Sequence, residues 1–160
     1  MAVLVLMALG LGLWLANSDI SLATIKYYAV HKTIGISVLG LYVLRVLWHR
    51  VSAPPAPLLH GNGWQDEIAR WVHRMFYLLL LAMPLTGWVA SSASGIDSVV
   101  FGRWTLPQIA PESEAIEAAG FLVHGILGKL LILLIALHAG AGIYRGLIKR
   151  DGTLRRITLG

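Results

Sequence analysis

The chain contains no cysteine. This excludes disulfides, iron–sulfur clusters and a haem attached covalently through a C-x-x-C-H motif. Charge is scarce as well: 13% of the 160 residues are Asp, Glu, Lys or Arg, about half the share in an ordinary water-soluble domain. No internal repeat or low-complexity tract interrupts the chain. What fills it is apolar: 57% of the residues are hydrophobic and mean hydropathy is +0.72. The composition is that of an integral membrane protein.

Four apolar segments stand out, at about 1–16, 29–48, 71–93 and 120–146, and none contains an Asp or Glu. The last three reach the roughly 20 residues that a membrane-crossing helix needs. The first spans only about 24 Å before Asn17, Ser18 and Asp19. It lacks the basic leading residues of a secretory signal, and Trp14 fits poorly beside a cleavage point at Ala16. The expectation is a first transmembrane helix whose beginning lies upstream of Met1. Residues 1–160 are expected to form one all-α domain, a four-helix transmembrane up-and-down bundle. The stretch 52–65 (SAPPAPLLHGNGWQ) reads as a loop punctuated by proline and glycine. The stretch 91–115, with Phe101, Trp104 and Pro107, reads as a structured cap on the membrane surface.

Basic residues set the expected orientation. Arg45, Arg50, Arg70 and Arg74 flank the 52–65 loop, and Arg145, Lys149, Arg150, Arg155 and Arg156 follow the fourth segment. Nine of the thirteen Lys and Arg therefore share one side. By the positive-inside rule both termini and the 52–65 loop are cytoplasmic. The net charge of +5 is an orientation signal and calls for no nucleic acid.

Of six histidines, His124 and His138 lie fourteen residues apart in one apolar run. On a helix that spacing returns the second side chain to within about 40° of the first, about 21 Å further along. A neutral imidazole is a good axial ligand for haem iron, and ionisable groups inside a membrane helix mark function. The plain alternative is a pair of interfacial or hydrogen-bonded histidines. His31 opens the second segment at the depth of His124, so these two can face each other from different helices. Gly35, Gly128 and Gly142 each follow a histidine (His31, His124, His138) by four residues, on the same helix face. A glycine there lets a porphyrin edge approach the backbone, though glycine also serves plain helix packing. His49 reads as interfacial and His60 as a solvated loop residue. At its depth His138 has His73 as a candidate partner. A histidine upstream of Met1 is the preferred one, because Tyr77 stands where His73 would need a glycine.

The chain is similar to the bacterial cytochrome b561 family over nearly its whole length. The resemblance rests on His31–Lys32 with LYVLRVLW (41–48), YLLLLAMPLTGW (77–88), SSASG (91–95), VHGILG (123–128), ALHAGAG (136–142) and RDGTLRR (150–156). It implies a di-haem b membrane cytochrome in which His31 and His124 hold an outer haem. His138 and a first-segment histidine would hold an inner one. By the family pattern the chain starts about three residues after that first-segment ligand, so one haem b is expected to bind well and a second weakly.

The resemblance also implies electron transfer between a quinone, such as ubiquinone, and a redox partner protein. Two imidazole ligands leave no open iron position, which favours electron transfer over oxygen binding. An oxidoreductase passing electrons from superoxide to ubiquinone is the alternative, with Lys32, Lys129 and Arg103 placed to meet propionates or draw in an anion. The commoner explanation of the same lysines is side chains snorkelling to the membrane surface. A histidine-lined metal or proton transporter predicts carboxylates inside the spans, where there are none.

Overall fold

A chain crossing hydrocarbon must satisfy every backbone N–H and C=O internally, so long uncharged runs of Leu, Val, Ile and Ala become helices. A computed structural model describes residues 1–53 and 63–150. It contains α1 (Ala2–Ala16), α2 (Ile25–Val51), α3 (Gly63–Ala93) and α4 (Glu114–Ile143), the last continued by wider π-helical turns over Tyr144–Lys149. The fold is the expected all-α bundle of four helices. α2, α3 and α4 with its continuation are long and apolar enough to cross a membrane, whereas α1 has 15 residues. Each helix packs on the next in sequence, and α3 against α4 is the broadest contact.

The helices outrun the apolar segments that announced them, because polar first turns cap and extend them. α3 starts at Gly63, so Trp64 and Gln65, expected in the loop, are helical. Glu67 and Arg70 form an ion pair one turn further on. α4 starts behind Ser113, whose hydroxyl accepts a bond from the Ile116 amide, with Glu114 and Glu117 favoured by the helix dipole. Ser91–Ala93 stay in α3 and Glu114–Ala115 belong to α4, which corrects the 91–115 connection to 94–113. His60 and the tail from Asp151, with Arg155 and Arg156, lie outside the described residues.

The 94–113 connection does form a cap. It contains a two-residue antiparallel ladder, β1 (Val99–Val100) with β2 (Trp104–Thr105), a local exception to the all-α expectation. Phe101 and Gly102 turn it with positive φ, at 53° and 64°. The cap is strapped to the bundle at several points. The Phe101 amide donates to Thr33 Oγ1 of α2 at 3.1 Å, and Trp88 Nε1 of α3 donates to the Pro107 carbonyl at 3.0 Å. The Ser113 amide donates to the Ala93 carbonyl at 3.0 Å.

The core takes residues from all four helices: Val5, Ile34, Val38, Leu79 and Leu131. α3 and α4 approach most closely at Gly120, where an added Cβ would stand 2.8 Å from Ala90 Cβ and 3.1 Å from its Cα. Small residues that let backbones meet are how membrane helices gain contact in a solvent as apolar as themselves.

Candidate functional site

His31 of α2 and His124 of α4 face each other, their ring centroids 6.1 Å apart and their planes at 84°. Two glycines from the other helices seat them. A Cβ on Gly12 of α1 would come within 2.9 Å of His31 Cε1, and one on Gly87 of α3 within 3.0 Å of His124 Cε1. Each ring thus presses on bare backbone, where any side chain would push it away. A cavity of about 50 Å³ opens between them, bordered by Lys32, Gly35, Gly87 and Trp88.

One bond sets the chemistry of His124. Its Nδ1 lies 2.9 Å from the carbonyl oxygen of Met83, which can only accept, so Nδ1 carries the proton. Thr86 Oγ1 donates to the same carbonyl at 2.9 Å and stands 3.3 Å from Nδ1. Nε2 is left with its lone pair, the arrangement in which metal-binding histidines are commonly held. Across from it, His31 Nδ1 is shielded from solvent without a hydrogen-bond partner among the described residues.

The spacing suits a metal. With about 2 Å from metal to imidazole nitrogen and about 1 Å from nitrogen to ring centroid on either side, two ligating rings stand about 6 Å apart. The pair therefore fits a haem iron held between two imidazoles. Among the described residues no three His, Asp or Glu side chains gather as an all-protein metal site; two protein ligands suffice when a porphyrin supplies the rest.

A second histidine pair lies deeper along the bundle. His138 of α4 faces His73 of α3, centroids 5.5 Å apart and planes at 68°, with Phe76 at 5.3 Å from His138. The sequence reading preferred an upstream partner for His138; in the structure the imidazole opposite is His73. Both rings are exposed.

The two levels recur at one interval on three helices. Fourteen residues separate His124 from His138 on α4 and Gly87 from His73 on α3. Fourteen beyond His31 on α2 stands Arg45. Halfway, seven residues from the upper level, lie Val5, Val38 and Leu131, members of the buried core, with Leu79 eight residues from Gly87. A dry apolar layer about 10 Å from either level therefore separates two polar ones.

The glycines singled out from sequence divide. Added Cβ atoms at Gly35 and Gly142 would meet open space, and one at Gly128 would touch only the end of Met83 at 3.6 Å. None of them is required by protein packing, which leaves room beside each histidine. Gly12 and Gly87, the two that hold rings in place, lacked a histidine four residues away and so escaped the pattern. His49, read as interfacial, has both ring nitrogens shielded and unpartnered among the described residues.

The family model described as prokaryotic cytochrome b561 matches residues 1–160. The chain is 30% identical over 164 residues to cytochrome b561 homolog 2 of Escherichia coli (strain K12), covering 98% of this chain and 84% of that protein. It is 34% identical over 132 residues to cytochrome b561 homolog 1 of the same organism, covering 79% and 72%. It is 28% identical over 138 residues to a Yersinia pestis protein named probable superoxide oxidase CybB, covering 80% and 72%.

Proposed function

The chain belongs to the prokaryotic cytochrome b561 family, and on that footing we propose that it carries electrons through haem b held between paired histidines. The observation that carries this reading is the His31–His124 pair, spaced for one iron and with Nε2 of His124 freed by the Met83 carbonyl. A second haem b is assigned to His138, with His73 the imidazole facing it. Bound haem supplies a one-electron couple that needs no open coordination position.

The residues of the chain do the rest. His31 and His124 hold the iron from two helices, and Thr86 with Met83 fixes the ring of His124. The cap over 94–113 covers the upper level from water. The apolar layer around Val38 and Leu131 keeps the levels apart while leaving them about 21 Å from histidine to histidine along α4. Electrons pass between a quinone in the membrane and a redox partner. The whole chain, residues 1–160, acts as one inner-membrane domain with both termini cytoplasmic, since nine of thirteen basic residues cluster on that side.

A second reading, superoxide oxidation coupled to ubiquinone reduction, is favoured by the relative named for that activity. It also draws on Lys32, whose Nζ donates to the Asp97 carbonyl at 3.5 Å beside the cavity. Two superoxide anions would each lose one electron and leave as dioxygen. Those two electrons, with two protons, convert ubiquinone to ubiquinol. Rapid mixing of the oxidised protein with superoxide, or with ubiquinol, separates the readings. Fast reduction by superoxide with ubiquinol formed favours the oxidase, and reduction by ubiquinol alone favours the carrier.

A further inference from the structure

Arg45 is a charged residue inside the apolar run LYVLRVLW of α2, the kind of placement that a membrane protein keeps for a reason. It lies fourteen residues beyond His31, as His138 lies beyond His124. Because His31 and His124 are level, the guanidinium is carried to the depth of His138 and within about 40° of the helix face that bears His31. Its hydrogen-bond partner is neutral: Nε donates to the Tyr77 hydroxyl at 3.1 Å, and Tyr77 packs edge-on against Tyr42 with centroids 6.0 Å apart. Tyr77 stands one turn from His73 on the same face of α3, and His73 meets His138. On α3, Arg70 pairs with Glu67 and Arg74 stacks over the Trp71 ring at 5.3 Å.

We propose that Arg45, held by Tyr77, is the fixed positive charge that sets the reduction potential of the haem at the His138 level. This rests on the assignment of a haem to His138 made above. A guanidinium stays charged at any physiological pH. Reduction removes one positive charge from the iron, so a cation nearby in a medium of low dielectric favours the reduced state and raises the potential. The upper haem lies about 21 Å away and feels the charge less than half as strongly as a haem within about 10 Å. Arg45 thereby makes the two haems unequal and gives electron flow between them a direction. Its role is to position charge, and it binds no substrate.

The test is a spectroscopic redox titration of the purified full chain with its haem content, comparing wild type, R45Q, R45K, Y77F and H138A. In R45Q the reduction equilibrium of the haem at the His138 level is expected to weaken about tenfold, a fall of about 59 mV for one electron. The upper haem should move less than half as far. R45K, which keeps the charge, should restore most of the potential, and Y77F should lower it by less than R45Q with haem content unchanged. Both potentials unchanged in R45Q that keeps its haem would overturn the proposal. If R45Q loses haem, Y77F with both potentials unchanged overturns it instead. H138A with unaltered haem content and spectrum removes the haem assignment itself, and this proposal with it.

Discussion

Nδ1 of His124 lies 2.9 Å from the carbonyl oxygen of Met83, and this one contact decides which nitrogen of the ring can face a metal. Thr86 shares the same carbonyl. Replacing Thr86 with valine removes the hydroxyl and leaves ring and carbonyl to hold each other alone. Loss of an outer-shell partner commonly costs 10–100-fold in affinity, so haem binding at this level should weaken by about tenfold. Titrating haem into the stripped T86V protein measures it. An affinity equal to wild type would show that the hydroxyl does not orient His124.

The glycines against the histidine rings give a sharper steric test. Gly87→Ala places a methyl 3.0 Å from His124 Cε1, and Gly12→Ala places one 2.9 Å from His31 Cε1. Both substitutions should displace a ring and reduce haem retained through purification. Gly10→Ala, where nothing lies within 4 Å, is the matched control and should behave as wild type. Equal haem content in all three would mean that the rings are free to move.

Gly120→Ala tests the α3–α4 seam instead of the site. The new methyl would sit 2.8 Å from Ala90 Cβ and 3.1 Å from backbone, with no flexible side chain to yield. Overpacking of this kind costs about 1–3 kcal/mol. The thermal midpoint in detergent should fall while the spectrum of whatever protein survives stays normal.

His73 and His138 separate two versions of the second site. If His73 is the ligand opposite His138, as their 5.5 Å approach suggests, H73A and H138A should each remove the same spectral component. If only H138A does so, the second ligand lies elsewhere and Phe76 and His73 merely pack against the ring.

Much of this was legible from sequence because membrane helices obey two simple rules, length and period. The four apolar runs gave the four helices, and the fourteen-residue interval placed His124 and His138 on one face. Gly12 and Gly87 were not legible, because a glycine that seats a ring from another helix leaves no mark at any spacing from that histidine. His73 ranks behind an upstream histidine in the sequence on account of Tyr77, a residue whose hydroxyl engages Arg45. Helix ends were misjudged at Gly63 and Glu114 since hydropathy tracks hydrocarbon, whereas hydrogen bonds and caps carry helices past it.

The central claim, that His31 and His124 together hold one haem b, is tested most directly by haem-to-protein ratio with the reduced spectrum. The measurement compares wild type, H31A, H124A and the double variant purified alike. The account predicts that each single substitution removes the same low-spin component, and that the double variant loses no more than either alone. Full haem content with an unchanged spectrum in both single variants would contradict it.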